Sequence, residues 1–180
     1  MGSIELIIGC MFSGKSTETI RLVKRFQIIN KSCLILKHNT DTRYDEGNKL
    51  STHDRVQIEC ISTDKLIKYL NTDLFNRSDI IVVEEGQFFS DLFDFATISA
   101  DKYNKTIIIN GLDGDYKRDM FGDVLRLIPH AEKITRLNAL CCICNDGTKA
   151  FFTKRITENN SIKLIGNEDY YQAVCRKHYN

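Results

Sequence analysis

The chain has 180 residues and a mass of 20.7 kDa, with 42% apolar and 27% charged residues, which suits one globular domain or a domain with a small appended lobe. Its 25 Lys and Arg nearly balance 24 Asp and Glu, and the formal net charge of +1 excludes the strongly basic field on which sequence-independent nucleic-acid binding depends. No apolar run approaches the roughly 18 to 20 residues of a membrane span, so we expect neither a nucleic-acid nor a membrane partner.

The N-terminal segment and the cysteines favour a cytoplasmic location. The first residues lack the basic start, the long apolar stretch and the cleavage site of a secretory signal. The cysteine count of seven is odd, and four of these residues occur near the C-terminus as Cys141, Cys142, Cys144 and Cys175. This arrangement indicates metal binding in a reducing compartment rather than a disulfide framework.

The first predicted elements are a strand over residues 4–8 and an amphipathic helix from Ser16 to Asn30, with a glycine-containing turn between them. The turn fits the pattern G-x-x-x-x-G-K-S, in which backbone N–H groups bind a polyphosphate, the lysine neutralises its oxygens and the serine hydroxyl binds magnesium. The alternative is a plain glycine turn whose lysine is only solvated. We predict a phosphate loop formed by Gly9, Cys10, Met11, Phe12, Ser13, Gly14, Lys15 and Ser16.

Three further apolar runs, over residues 33–37, 79–85 and 106–110, are predicted strands that alternate with helical patterns. Such alternation is typical of β/α units, and nearly continuous apolar strands are typical of a parallel sheet with helices on both faces. The polar segment from Asn39 to Arg55 has no periodicity and is predicted to be a long loop.

Two acidic residues, Glu84 and Glu85, end the predicted strand over residues 79–85. The carboxyl ends of strands in an open α/β sheet are where phosphates bind. One acid can hold magnesium there, and the other can accept a proton from a hydroxyl nucleophile. Solvated acids that merely cap a strand are the alternative.

The pattern changes after residue 137, where cysteine pairs flank short apolar runs, and we predict a small β lobe over residues 138–180. The pairs Cys141-x-x-Cys144 and Cys175-x-x-His178 supply three thiolates and an imidazole, a complete ligand set for tetrahedral, structural Zn²⁺. The sequence therefore predicts an α/β fold: a P-loop parallel sheet with flanking helices over residues 1–137, and a zinc-bearing β lobe whose closed loop can face a ligand.

Several segments occur together in one order: GCMFSGKST, DTRY, THDR, EEGQFF, GLDGDY, FTKR and IGNEDYYQAVCRKHY. With the cysteine pairs, this set resembles the type II thymidine kinases, a small zinc-bearing family of cells and poxviruses. The resemblance implies a kinase domain over residues 1–137 and a zinc-binding lasso over residues 138–180. It also implies ATP-dependent, Mg²⁺-requiring phosphorylation of thymidine to dTMP for deoxynucleotide salvage, a homotetramer, and feedback inhibition by dTTP.

The resemblance also implies roles for individual residues. Glu85 is then the general base, Lys15 and Arg43 assist the phosphoryl group, Asp41 is a weaker candidate, and Glu84, where the family usually has Asp, joins Ser16 at magnesium. The family's nucleoside pocket maps onto Met11, Phe88, Leu112, Tyr116, Phe121, Thr153, Ile162, Leu164, Gly166 and Tyr171. Ordinary core packing is the alternative for each of these residues.

Two other function classes fit the sequence less well. The first is a GTPase-like switch or another P-loop ATPase. The guanine-binding motif N-K-x-D of GTPases is not present at Asn30-Lys31 or Asn104-Lys105, because neither pair is followed by the required Asp. A zinc-finger-like nucleic-acid module is the second, and the near-zero net charge speaks against it. Among nucleosides, a one-methyl difference in an apolar pocket is worth only about 1–3 kcal/mol, so deoxyuridine is expected to be a weaker substrate.

Overall fold

A six-stranded sheet forms the centre of the protein in the computed structural model, which describes residues 1–40, 49–51, 57–157 and 169–180. The strands are β1 Ser3–Gly9, β2 Cys33–His38, β3 Lys49–Ser51, β4 Gln57–Glu59, β5 Ile61–Thr63, β6 Ile80–Glu84, β7 Thr106–Leu112, β8 Lys133–Leu137, β9 Ala139–Leu140, β10 Lys149–Ala150, β11 Phe152–Arg155 and β12 Tyr171–Val174. The large sheet has the order β5-β2-β6-β7-β1-β8, and all of its neighbouring strands are parallel.

Helices cover both faces of this sheet. The α-helices are α1 Lys15–Ile28, α2 Asp73–Arg77, α3 Leu92–Asp101 and α4 Arg176–Tyr179, and short 3-10 helices span Ile67–Tyr69, Gly86–Phe88 and Leu125–His130. Ile20 and Val23 of α1 pack with Ile35 and Ile108 on one face, whereas Phe95 of α3 belongs to the hydrophobic cluster on the other. This two-sided cover explains why each central strand contains a run of consecutive apolar residues.

The predicted fold class is confirmed, and so are the four predicted strands and the first helix. Two strands of the large sheet were not predicted, namely β5 and β8, which are its two edges. The predicted loop from Asn39 to Arg55 was wrong in one part, because it contains β3, which pairs antiparallel with β4. The motif residues 41–44 and 52–55 lie outside the described residues.

The C-terminal lobe consists of two antiparallel pairs, β9 with β10 and β11 with β12, followed by α4. The large sheet ends with β8 at Leu137, and β9 begins at Ala139. The division into domains of residues 1–137 and 138–180 stays a prediction. Within the described part of the chain, no helix has the length and apolarity needed to cross a bilayer.

Candidate functional site

The predicted phosphate loop connects the end of β1 to the start of α1. A side chain at Gly9 would lie 2.5 Å from the carbonyl oxygen of Leu137, so only glycine fits there. Gly14 has a left-handed backbone (φ 84°) immediately before α1 and makes no side-chain cap, so the first N–H groups of the helix are available to an anion. Lys15 is only 7% exposed, and its Nζ donates to the carbonyl oxygen of Cys10 at 3.0 Å. Lys15 thus points back over its own loop, where a polyphosphate can replace the carbonyl.

The phosphate loop and the first acidic residue are in direct contact. Ser16 Oγ donates to Glu84 Oε1 at 2.5 Å. The other carboxylate oxygen, Glu84 Oε2, accepts from the amide of Asn110, which also donates to Thr19 Oγ1 at 2.8 Å. Glu84 is 1% exposed, so these contacts offset much of the cost of burying its charge. A hydroxyl beside a carboxylate is the oxygen donor set that Mg²⁺ prefers, and the two residues therefore fit a magnesium site.

Glu85 is held in a fixed orientation at the end of β6. Its backbone is left-handed (φ 52°), which is uncommon for a residue with a side chain. The Glu85 N–H donates to Asn110 Oδ1 at 2.9 Å, and Gln87 Nε2 donates to Glu85 Oε2 at 2.5 Å. Gln87 Oε1 in turn accepts from the N–H of Leu112 at 3.1 Å. Glu85 is therefore a buried carboxylate with a supported geometry, as a general base requires.

Asn110 and Gln87 are site residues that the sequence analysis did not single out. Asn110 contacts both acids and Thr19, and Gln87 joins Glu85 to the end of β7. The sequence did indicate Asn110, because this polar residue directly follows the apolar run over residues 107–109 of β7. Gln87 had no signal beyond its place in the EEGQFF segment, since its role depends on contacts between elements.

The four predicted zinc ligands converge in the C-terminal lobe. The ligand atoms of Cys141, Cys144, Cys175 and His178 all lie within 4.8 Å of one another. His178 Nδ1 is 3.5, 3.4 and 3.5 Å from the three sulfurs, and the sulfurs of Cys144 and Cys175 are 3.8 Å apart. Tetrahedral zinc with Zn–S near 2.3 Å and Zn–N near 2.0–2.1 Å separates sulfur from nitrogen by about 3.5 Å and two sulfurs by about 3.8 Å. The cluster therefore fits zinc with no open coordination position.

The protonation of this cluster is uneven. Desolvation raises the pKa of the Cys141 thiol, but the backbone N–H groups of Cys144 and Cys175 and the imidazole of His178 outweigh it and lower that pKa to about 6. Desolvation and the neighbouring sulfurs raise the pKa of the Cys144 thiol to about 11. Cys142 is exposed and lies outside the group of converging ligands.

The C-terminal lobe packs directly against the phosphate loop. Met11 N–H donates to Thr153 Oγ1 at 3.0 Å, and Cys10 Sγ contacts the carbonyl oxygen of Ala150 at 3.5 Å. At the other side of the lobe, Tyr179 Oη donates to the carbonyl oxygen of Tyr116 at 2.8 Å. A metal bound by the four ligands would therefore stabilise a lobe that touches both the loop and the segment after β7.

Comparison with known proteins decides the family. A family model described as thymidine kinase matches residues 2–179. The chain belongs to the thymidine kinase family. It is 48% identical over 178 residues to the thymidine kinase of Sheeppox virus (strain KS-1), covering 99% of this chain and 97% of that protein. It is 42% identical over 181 residues to thymidine kinase a of Arabidopsis thaliana, covering 99% of this chain and 75% of that protein.

A third relative, the thymidine kinase of Fowlpox virus (strain NVSL), is 42% identical over 180 residues, covering 98% of this chain and 96% of that protein. The resemblance stated from the sequence motifs is therefore confirmed at the level of the family. Membership implies a kinase, that is, a phosphotransferase, and it supports thymidine kinase activity.

The described nucleoside residues expected for a thymidine kinase make several pairwise contacts. Phe88 and Phe121 meet edge to face, with ring centroids 5.6 Å apart. The guanidinium of Arg155 lies 3.7 Å from the ring centroid of Tyr116 and donates to Tyr171 Oη at 2.5 Å. Met11 and Thr153 share the hydrogen bond described above, and Leu112 is joined to Glu85 through Gln87.

A cavity of about 170 Å³ lies beside these groups, and Thr153 is the only predicted nucleoside residue among its described lining residues. The cavity is lined by Asp113, Gly114, Asp115, Arg118, Arg136, Phe151, Phe152 and Thr153.

Ile162, Leu164 and Gly166 lie outside the described residues, as do Arg43 and Asp41. Arg155, the last residue of the FTKR segment, was not singled out by the sequence analysis, because its position between two tyrosines depends on the fold.

Proposed function

We propose that the protein is an ATP-dependent thymidine kinase, which transfers the γ-phosphoryl group of ATP to the 5′-hydroxyl of thymidine and gives dTMP and ADP. Family membership supports the kinase class. The finer assignment of donor, acceptor and residue roles is drawn from the site itself.

The contact between Ser16 and Glu84 is the main structural support for this proposal. Ser16 Oγ, at the start of α1, donates to Glu84 Oε1 at 2.5 Å, and Glu85 is the next residue along the chain. The contact brings a helix N-terminus, a lysine and two buried carboxylates to one end of the sheet. A phosphoryl transferase needs this combination, because its transition state requires anion binding, a metal and a proton acceptor together.

The residues would divide the reaction as follows. The N–H groups at the start of α1 and the ammonium of Lys15 bind the β- and γ-phosphate oxygens of ATP. Ser16 and Glu84 would hold Mg²⁺, which would supply positive charge to neutralise those oxygens. Glu85 accepts the proton of the 5′-hydroxyl while the O5′–P bond forms, and the bond from the γ-phosphorus to the β–γ bridging oxygen breaks as ADP leaves. Arg43 is proposed to assist the phosphoryl group.

The nucleoside is proposed to bind between the segment after β7 and the C-terminal lobe. Met11, Leu112 and Thr153 could surround the 5-methyl group of thymine. Removing one methyl costs about 1–3 kcal/mol, so deoxyuridine is proposed to be a weaker substrate. Deoxycytidine is rejected more strongly, because its exchanged donors and acceptors would leave buried polar groups unpaired.

Further properties of the proposal follow from the family. Zn²⁺ at Cys141, Cys144, Cys175 and His178 would be structural, since four protein ligands leave no open position. Inhibition by dTTP follows if one triphosphate spans the nucleoside and phosphate sites. A homotetramer and a cytoplasmic location belong to the same proposal.

The test is nucleoside-dependent ADP release by the zinc-loaded protein with Mg²⁺ and ATP. Thymidine, deoxyuridine, deoxycytidine and no nucleoside are compared for the wild type, Glu85→Gln and the control Glu59→Gln, whose carboxylate is exposed on β4. A lost general base is worth about 10²- to 10⁴-fold in rate, so Glu85→Gln should lose thymidine turnover by that factor. ATP binding should survive, and Glu59→Gln should match the wild type.

No turnover of any nucleoside by an ATP-binding, zinc-loaded wild type would refute the proposal. Full activity of Glu85→Gln would refute the role of that residue and leave the reaction standing.

A further inference from the structure

Lys37, near the end of β2, is the least exposed lysine among those with described burial. It is 4% exposed, less than Lys15 of the phosphate loop at 7%. Among the residues that the structure describes, none accepts a hydrogen bond from Lys37 or forms an ion pair with it. Holding a lysine in a largely buried position without a protein partner is costly, and an anion bound beside its ammonium would offset that cost.

The sheet places Lys37 on the same side as the acids of the site. Side chains alternate along β2, with Leu34 and Leu36 in the cluster under α3 and Ile35 in the cluster under α1. Lys37 therefore shares the α1 side with Ile35. By the same alternation along β6, Glu84 lies on the α1 side with Val82, in agreement with its contact to Ser16.

The strand register brings these two residues level with each other. Lys37 and Glu84 are direct partners in the parallel pairing of β2 and β6. Their Cα atoms are therefore one strand spacing apart, about 4.8 Å. Because a lysine side chain is longer than that spacing, its ammonium can reach the space above Glu84 and Ser16 without moving the backbone. This is the space in which the proposed reaction places the phosphoryl group.

We propose that Lys37 is a second phosphate-binding lysine, whose ammonium binds an oxygen of the transferred phosphoryl group on the β2 side of the site. Lys15 binds the same anion from the phosphate loop, so the group is held between two buried cations. This assignment rests on the proposed phosphoryl transfer, but it concerns a residue that lies outside the phosphate loop and both acidic positions.

A purely structural role makes the opposite prediction for stability. If Lys37 existed to balance the buried charge of Glu84 and Glu85, its removal would leave two buried carboxylates uncompensated and would destabilise the fold. If it exists to bind phosphate, the largely buried Lys37 side chain makes no ion pair with a described residue in the protein without ligand, and the fold does not depend on its charge. Replacing it with Met, which is unbranched and of similar size, would then leave stability unchanged or raise it.

The experiment uses the zinc-loaded full chain carrying Lys37→Met. Lys37→Gln is measured in parallel, so that the test still works when one of the two variants fails to fold. Lys24→Met is the control, because Lys24 is exposed on α1. Three quantities are measured for each: kcat with ATP and thymidine, the affinity for inorganic tripolyphosphate by calorimetry, and the melting temperature without ligand.

The proposal expects kcat to fall about 10²-fold or more, as when one preorganised donor to a developing charge is removed. Tripolyphosphate should bind about 10-fold more weakly to both Lys37 variants, the melting temperature of Lys37→Met should not fall, and Lys24→Met should match the wild type. Unchanged tripolyphosphate binding, or a Lys37→Met protein that melts well below the wild type, would overturn it. A wild type that turns over no nucleoside would refute the proposed function instead, while the tripolyphosphate measurement would still decide the role of Lys37.

Discussion

The hydrogen bond from Met11 N–H to Thr153 Oγ1 joins the phosphate loop to the C-terminal lobe, and its removal gives a quantitative prediction. Thr153→Val keeps the shape of the side chain and deletes the acceptor. Thr153→Ser is the matched control, because it keeps the hydroxyl and loses one methyl group. Both partners are buried: Thr153 is 5% exposed and Met11 is 8% exposed.

The cost of Thr153→Val follows from this burial. A buried N–H left without an acceptor costs about 1–3 kcal/mol, more than the roughly 0.5–1.5 kcal/mol net value of an ordinary hydrogen bond. For a chain of this size, each kcal/mol corresponds to about 2–4 °C in melting temperature, so we expect a fall of roughly 2–12 °C. The loop would also lose a tether, so KM for thymidine should rise for Thr153→Val and much less for Thr153→Ser.

The assay is thermal unfolding in excess zinc, followed by steady-state kinetics with ATP and thymidine on the same preparations. Holding zinc in excess keeps its binding contribution equal in the three proteins. The reasoning fails if Thr153→Val melts within 1 °C of the wild type, or if Thr153→Ser loses as much stability as Thr153→Val. In either case the buried N–H of Met11 would not depend on this acceptor.

Three further outcomes are expected. One equivalent of zinc should copurify with the wild type. A strong chelator or the substitution His178→Ala should remove the zinc and lower the melting temperature. An unchanged melting temperature after metal removal would contradict a structural site. The ammonium of Lys31 and hydrogen bonds from Ser32 lower the pKa of Asp79 from 3.8 to about 2, so the stability gained from this carboxylate is fully present above pH 3.8 and is lost as the pH falls toward 2. Wild type and Asp79→Asn should therefore converge in acid unfolding near pH 2, and a gap that persists there would refute that pKa. Gly122→Ala should destabilise the protein more than Gly14→Ala, although both glycines have a positive φ. A Cβ at Gly122 would lie 2.3 Å from the carbonyl oxygen of Gln87, whereas a Cβ at Gly14 would meet nothing within 4 Å. Equal melting temperatures of the two variants would contradict this prediction.

The central strands could be predicted from the sequence because they are buried on both faces. Residues 33–36 and 107–109 are consecutive apolar residues, and short runs of this kind, rich in β-branched residues, favour buried strands. The edge strands were missed for the converse reason. β8 (KITRL) has no buried residue and neither alternates strictly nor forms an apolar run, and β5 has only three residues, so neither has a distinctive pattern.

The candidate site divides in the same way. Ser16 and the four cysteine and histidine ligands were predicted because each belongs to a spaced motif with a known chemistry, and Glu84 was predicted because it ends an apolar strand. The left-handed backbone of Glu85 and the support from Gln87 were not, because both depend on how β6, β7 and the short helix between β6 and α3 meet. Arg155 illustrates the limit, since its two tyrosines are 39 and 16 residues away in the sequence.

One regularity connects the residues that were predicted with those that were missed. Lys37, Glu84 and Asn110 each follow an apolar run, and each shares the α1 side of the sheet with the residue two positions before it. Lys37 pairs with Glu84, and because Val83 pairs with Ile109, Glu84 and Asn110 are also level with each other. The three side chains therefore form a polar row across β2, β6 and β7 beside the start of α1. Glu84 and Asn110 are satisfied by hydrogen bonds within the protein, whereas no described residue accepts a hydrogen bond from Lys37. We therefore expect this polar row at the strand ends to be the place where the protein meets a charged ligand.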